Sequence, residues 1–332
     1  MAADSPVVSI IMPAYNAAAF IAESIESVLH QTYTHFQLIV VDDGSQDATA
    51  AIAEGYAATD PRIQVIRCSN SGKPSIARNI GIGHASGDYL SFLDSDDYWL
   101  PERLARTVAG MRAHPEWIAV FHDLDLVDSA GAKLGPTYLE NSRFLDAASD
   151  YLRALGEDWY DCGERFFVFM SLLYAAVHTQ SIIVDRHQAG RDLLRFDEDY
   201  IICEDTDLWL RLALAGRLGY LDSVLSCYRQ HPTSITKKAL LFAEQALLFH
   251  ENNYARVHAR MSEHERRAYR HKIADYRSVL AYHCYRGGQA RRARTLSLQV
   301  FMVRRCYGDL LLSAKTLIPL DAQQRIRTLL RK

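Results

Sequence analysis

The chain has 332 residues, 49% of them hydrophobic and 23% charged, with a net charge of −3, an ordinary globular balance that can bury a sizeable core. Six scattered cysteines with no CxxC pair argue against a zinc site or a disulfide framework and for reduced thiols in a cytosolic protein. No basic region followed by a long apolar run opens the sequence, so no signal peptide is expected, and the longest apolar run, FFVFMSLLYAAV at 166–177, is too short to span a bilayer.

VVSIIMP (7–13) reads as a buried strand stopped by Pro13. The next stretch predicts a helix, with Asn16 as its N-cap and Phe20, Ile21, Ile25, Val28 and Leu29 near helical spacing. FQLIVVDDGS is a second apolar strand ending in carboxylates and a glycine turn. A helix over about 46–58, a strand IQVIRC and a helix within KPSIARNIGIGH come next, then DYLSFLDSDD, a strand running into acids. Strands alternating with helices at this spacing predict an α/β fold with a mostly parallel sheet covered on both faces. Beyond Pro101, WIAVFHDLDLVDSAGAKLG reads as two strands joined by the turn DSAGAK. TQSIIVDR is a further strand, and EDTDLWLRLALAG a helix ended by Gly216. After YRQHPTSIT the chain turns helical and basic, which puts a domain boundary near 236. Residues 1–236 carry 17 Lys and Arg against 33 Asp and Glu, a net −16; residues 237–332 carry 20 against 7, a net +13. The split points to separate roles and to an anionic partner for the tail, or to a tail packed on its own acidic domain.

In such sheets ligands bind beyond the carboxyl ends of the strands. PAYN, DDGS and DSDD each come directly after a strand, so all three should lie along one edge. In DSDD, Asp94, Asp96 and Asp97 place three carboxylates in four positions; at about 5 Å and an effective dielectric of about 20, each close pair would repel by about 3 kcal/mol. Asp94 and Asp96 are two apart and point the same way in extended backbone. They suit a divalent cation, which takes one or two carboxylates plus substrate phosphates; the alternative is an acidic turn with Asp97 capping a helix. A carboxylate of the Asp42-Asp43 pair suits a pyrimidine N–H or a ribose hydroxyl, and the ring of Tyr15 suits a base; ordinary turn chemistry is the other reading of both. Lys73 and Arg78 lie among glycines, as a phosphate site would have them, although Arg78 could instead pair with Asp94 or Asp96. No dinucleotide fingerprint or P-loop is present. Glu204 and Asp205 open a helix, where one of the pair can serve as a general base, and Asp207 reads as a cap. Arg229 and His231 alternate along an extended segment near the proposed diphosphate.

In this order, VSIIMPAYNAAAFIAESIESVLHQTY, LIVVDDGSQDAT, ARNIGIGHASGDYLSFLDSDD, EDTDLWLRLA and YRQH make residues 6–236 resemble glycosyltransferase family 2, enzymes of GT-A fold that use nucleotide sugars. The resemblance implies inverting transfer from a nucleoside diphosphate sugar, UDP-linked by first expectation, with Mn²⁺ or Mg²⁺. Pro13, Ala14, Tyr15, Asn16, Asp43, Arg78 and Ser95 would then bind the nucleotide. Asp94-Ser95-Asp96 would be the DxD-type element, with Asp96 the metal contact, and Asp205, next to Glu204, the catalytic base. His231, Arg229 and Lys73 remain candidates for phosphate or metal, Lys73 in a segment that departs from the family pattern. The acceptor would be a glycan or lipid-linked hydroxyl, in surface polysaccharide or glycolipid assembly, and nucleic acid is not expected as a partner. A nucleotidyltransferase on a sugar phosphate, or a non-catalytic nucleotide-sugar module, stays open as an alternative. Residues 237–332 resemble no family; they are expected to be a helical, basic domain that binds an anionic membrane surface or packs on the catalytic domain, with FFVFMSLLYAAV helping to line the acceptor's path.

Overall fold

The first apolar runs become strands because they are hydrophobic on both sides. β1 (Val8–Ala14) is buried along its whole length and β2 (Phe36–Asp42) nearly so, as in a sheet with helices on each face. The computed structural model describes residues 7–173, 175–231 and 238–306. Between and after the first two strands come α1 (Ile21–Leu29), α2 (Thr49–Ala57), β3 (Ile63–Arg67), α3 (Pro74–His84) and β4 (Tyr89–Phe92). Next in the chain are β5 (Tyr98–Trp99), α4 (Arg103–Ala113), β6 (Trp117–Val127), the short helices α5 (Tyr138–Asn141) and α6 (Phe144–Ala147), and a hairpin of β7 (Leu152–Gly156) and β8 (Trp159–Cys162). The unit closes with α7 (Phe166–Leu172), β9 (Ile182–Asp185), α8 (Arg186–Leu193), α9 (Glu204–Ala215) and β10 (Arg217–Arg229).

The strand order is β3-β2-β1-β4-β9-β6-β10-β8-β7, with β5 added to β10. β3, β2, β1 and β4 run parallel. β9 is antiparallel to both β4 and β6, and β10 is parallel to β6. The carboxyl ends of β1, β2, β4, β6 and β10 therefore share one edge. Ala14 stands level with Asp42, and Leu93 N still donates to Ile11 O at 3.0 Å, so Asp94 leaves the sheet one strand away from Pro13 and Ala14.

Three expectations change. No second strand succeeds DSAGAK: Asp128 Oδ1 accepts from Ala130 N and Ala132 N, closing a turn that leaves one isolated bridge, Val127 to Lys133. Asn16 does not cap α1, whose N-cap is Phe20 without a side-chain bond. Phe166, Phe167, Val168 and Phe169 line no path, because each is at most 1% exposed. Phe166 and Phe169 pack into an aromatic cluster with Phe144 that reaches Phe121 and Tyr220.

The chain divides into two compact units, Met1–Pro232 and Thr233–Lys332; the boundary read near 236 lies outside the described residues. The second unit is helical, with α10 (Ala239–Val257), α11 (Glu263–Arg286) and α12 (Ala290–Arg304). Ser262 opens α11 through a capping box with Glu265. Gly288, at φ +78°, makes the break before α12 that a side chain would resist. Ala274, Leu280, Ala281, Cys284, Ala293 and Val300 fill the core between the last two helices. Among the described residues no helix is long and apolar enough to cross a membrane.

Candidate active site

Three loops on the carboxyl edge are laced together by their own polar side chains. Asn16, in the left-handed conformation that Asn tolerates, has φ 49°. Its N–H donates to Ser45 Oγ at 3.0 Å, and its Oδ1 accepts from Gln46 N at 2.8 Å. Asp43, 7% exposed, accepts from Ser71 N at 2.8 Å and Ser71 Oγ at 3.0 Å. Gly44 cannot carry a side chain: its φ is +72°, and a Cβ would lie 2.7 Å from Asn70 N. Pro13 and Ala14 are buried at the end of β1, while Tyr15 stands 51% exposed above them. Lys73 is drawn aside, its Nζ donating to Glu198 O at 2.5 Å.

The DSDD turn is anchored from two sides. From α1, Ser24 Oγ donates to the carbonyls of Ser95 (3.0 Å) and Asp97 (2.6 Å), and Ser95 itself is 7% exposed. From β10, Arg229 N donates to Asp97 Oδ1 at 2.8 Å. Asp97 is therefore no helix cap, and α4 begins only at Arg103. Burial, with Asp96 and Asp94 nearby, lifts its carboxyl well above the usual range. Arg229, 2% exposed, is committed to protein on every nitrogen. Nε donates to Asp96 O at 2.9 Å, Nη1 to Ser129 O at 3.0 Å and Nη2 to Glu23 Oε2 at 2.6 Å. It clamps the turn from below instead of meeting a phosphate as the sequence led us to expect. His231 does reach the carboxylates: Nε2 donates to Asp96 Oδ2 at 2.8 Å.

Arg78 joins the turn to the pair at the start of α9. Nη2 donates to Asp94 Oδ1 at 2.7 Å and Nη1 to Glu204 Oε1 at 2.6 Å, with the guanidinium side chain 5% exposed. Burial alone would lower its pKa, but Asp94 and Glu204 overcome that and hold it above the ordinary arginine value. With both terminal nitrogens on protein carboxylates, Arg78 braces the site. Glu204, 6% exposed and held by Arg78, is likewise part of the brace. Burial raises its carboxyl to about 7, Arg78 pulling it back and Asp205 pushing it up.

Asp205 has another environment. It is half-buried, and its Oδ2 accepts from Thr179 Oγ1 at 3.0 Å while Oδ1 accepts from Thr206 N at 2.6 Å. Cys203 before the pair is left-handed at φ 74°, a conformation costing a non-glycine residue about 1–3 kcal/mol. This bend turns the chain into α9, where Glu204 meets Arg78 and Asp205 meets Thr179. Asp207 is no cap: its Oδ2 accepts from Arg211 Nε at 2.8 Å. Thr179, Asp97 and Cys203 carry no local signal in the sequence, because their roles come from contacts far along the chain.

For a metal, Asp94 and Asp96 offer hard oxygens, and His231 lies against Asp96. Among the described residues no three His, Cys, Asp or Glu groups make a complete metal cage. Such a donor set fits Mg²⁺ or Mn²⁺ completed by diphosphate oxygens, and does not fit a metal held by protein alone.

An α/β sheet with acidic groups gathered along its carboxyl edge, matched by the structural comparison, gives the chain a GT-A fold. S. aureus TarS 1-349, solved in complex with UDP-GlcNAc, aligns with a TM-score of 0.58 at 18% identity over 93% of this chain and 90% of that one. The mannosyltransferase PcManGT of Pyrobaculum calidifontis, solved with GDP-Man and Mn²⁺, aligns at 0.58 and 17% identity over 93% and 79%. Residues 9–145 match the family described as Glycosyl transferase family 2. The Bacillus subtilis (strain 168) glycosyltransferase EpsE is 38% identical over 250 residues, 74% of this chain and 81% of its own length. EpsJ of the same organism is 34% identical over 240 residues, 70% of this chain; the chain spans 63% of the length of EpsJ. The chain belongs to glycosyltransferase family 2.

The brace predicts a pH-dependent defect. The folded-state pKa of Glu204, about 7, lies above its ordinary 4.5. Its contribution to stability is therefore fully present below about pH 4.5 and is lost as pH rises through 7. Arg78→Met removes the cation that pulls this pKa down and leaves buried charge unpaired. We expect a loss of about 3–5 kcal/mol at pH 8 and a smaller loss at pH 5.5, where Glu204 is neutral. Urea melts at the two pH values check this; equal losses would show that Glu204 does not depend on Arg78.

Proposed function

We propose that the chain transfers a sugar from a nucleoside diphosphate sugar, UDP-linked by preference, to an acceptor hydroxyl with inversion at the anomeric carbon. The observation that carries this is the single arginine, Arg78, that ties Asp94 of the DSDD turn to the Glu204-Asp205 pair. It sets a cation-suited carboxylate pair and a half-buried carboxylate on the same edge of the sheet. The TarS and PcManGT structures hold nucleotide sugars, which supports a donor of this class.

Tyr15 is exposed to meet the base, with Asp43 below it holding Ser71 in place. Asp96 and Asp94, with His231 against Asp96, would hold Mn²⁺ or Mg²⁺, whose charge would neutralise the diphosphate. Asp205 takes the proton of the acceptor hydroxyl as its oxygen attacks the anomeric carbon from the face opposite the diphosphate. The electrons of the broken C–O bond leave with the diphosphate, so one displacement inverts the centre and no sugar–enzyme bond forms. Thr179 and the Thr206 N–H fix Asp205 in rotation. Glu204 is too buried to serve.

Asp205→Asn keeps size and loses the proton acceptor, so turnover should fall by about 10²–10⁴-fold while donor affinity changes little. A panel of UDP-, GDP- and ADP-sugars with Mn²⁺, read by donor hydrolysis and thermal shift, supplies the donor for the assay. Collapsed nucleotide affinity with an unchanged saturated rate would make Asp205 a binding residue instead.

We further propose that the second unit rests on an anionic membrane, as a lipid-linked acceptor would require. Residues 237–332 carry 20 Lys and Arg against 7 Asp and Glu. On α12, Leu298 (45% exposed) and Met302 (60%) lie one turn apart, with Arg291 and Arg294 at matching helical spacing. The apolar stretch YGDLLLSAKTLIPL, which the sequence adds to this surface, lies outside the described residues. Each basic residue at such a surface is worth about 1 kcal/mol. The full chain should sediment with phosphatidylserine vesicles at low salt and release at high salt, and Arg291→Glu with Arg294→Glu should weaken binding. Protein left in the supernatant at low salt would rule the membrane role out.

A further inference from the structure

β10 does not run evenly beside β6. Its register slips between Leu221 and Val224 and again between Val224 and Ser226, with Asp123 opposite Val224. On its other side β8 pairs with Leu218 to Leu221 and β5 with Ser226 and Cys227, so the slipped stretch runs between the two. Bulges bend a strand and re-aim its side chains, and they are frequent beside functional sites. Here the bulge borders a cavity of about 510 Å³ floored by Leu139, Phe144, Tyr220 and Val224, within the roughly 300–1,000 Å³ of small-molecule sites.

A relay of contacts leads from this cavity to Asp205. Leu139 lines the cavity, and its neighbour Tyr138 donates from its hydroxyl to Ala175 O at 3.0 Å and sets its ring edge-on to His178. The residue after His178 is Thr179, which holds Asp205.

Charge narrows the ligand. Asp123, Glu140, Asp146 and Asp222 face the cavity against one cation, Arg143. Each carboxylate already has a partner and keeps further lone pairs for a ligand: Asp123 accepts from the Thr137 hydroxyl and Leu139 N, Glu140 from Thr137 N, Asp222 from the Tyr220 hydroxyl, and Asp146 pairs with Arg143 at 2.8 Å. Such a rim repels phosphate and carboxylate groups. Hydroxyl and ammonium groups, as donors, suit its carboxylate oxygens. The apolar floor suits the C–H face of a sugar ring.

We propose that this cavity is a second acceptor subsite, holding a neutral or amine-bearing sugar of a glycan whose reacting hydroxyl lies at Asp205. The proposal rests on the transferase reading above and adds the class of acceptor: an oligosaccharide that reaches back from the site of transfer.

The test is saturation-transfer NMR on the full chain with cellobiose, N,N′-diacetylchitobiose and glucosamine, with glucose 6-phosphate as the anionic probe. We expect the first three to bind and the phosphate not to. Val224→Phe fills the floor and should abolish binding of all three. Asp146→Lys, on an exposed rim position, should weaken glucosamine by about two- to fivefold, the worth of one exposed charge pair, even if the first variant fails to fold. UDP affinity with Mn²⁺ should be unchanged in both variants. UDP binding without any sugar binding, or sugar binding indifferent to both substitutions, would overturn the subsite alone. Sugar binding that responds as expected in a chain that binds no nucleotide would keep the cavity and sink the transferase reading.

Discussion

A guanidinium buried between two carboxylates is the constraint on which the site depends. Arg78 has 5% of its side chain exposed, as little solvent as a core residue, and it is charged because Asp94 and Glu204 flank it at 2.7 and 2.6 Å. Arg103 shows what burial does without such partners. It is also fully buried, over the ring of Trp99 at 3.9 Å and donating to the Ile182 carbonyl, and desolvation pulls its pKa down to about 9 with no carboxylate to oppose it among the described residues. The difference between the two arginines is the electrostatic work done by the acids. That work also runs in reverse: Arg78 permits two acids that would otherwise repel to sit on neighbouring elements at low solvent exposure.

From this brace the rest of the edge takes its place. Asp94 belongs to the turn after β4 and Glu204 to the first turn of α9, elements 110 residues apart in the chain and joined by one side chain from α3. Arg229 performs the same service beneath the turn, tying Asp96, Ser129 and Glu23 together from the end of β10. The negative charge collected at 94–97 is thus held from inside by two arginines, while Asp96 stays partly exposed with His231 at its side. Held this way, the backbone of the turn keeps the acids close together. An added cation would relieve what repulsion Arg78 and His231 leave between Asp94 and Asp96.

Much of this edge was legible in the sequence because its signals are local. Apolar runs that end in Pro, Asp-Asp-Gly or Asp-Ser-Asp-Asp announce strands and the loops that leave them, and the parallel arrangement then puts PAYN, DDGS and DSDD on one edge. The failures have a common physical origin. Arg229 reads as a phosphate ligand, but Asp96, Ser129 and Glu23, all more than 90 residues away in the chain, occupy it. Asn16 reads as a helix cap, yet its partner is Gln46, 30 residues on. Arg78 reads as a phosphate ligand because nothing in its neighbourhood shows that Glu204 will occupy it. Thr179, Asp97 and the left-handed Cys203 are positioned by tertiary contacts, which leave no periodic trace. The Phe-rich run at 166–169 was ambiguous for the opposite reason: hydrophobicity alone does not distinguish a path wall from a packed core.

The proposed cation site would be half-built by the protein and completed by the donor. Manganese titration monitored by electron paramagnetic resonance, with and without UDP, tests this most directly. We expect weak Mn²⁺ binding to the protein alone, at least about tenfold tighter binding when UDP is present, and loss of that gain in Asp96→Asn. Equal Mn²⁺ affinity with and without UDP, or UDP binding undiminished in excess chelator, would contradict it.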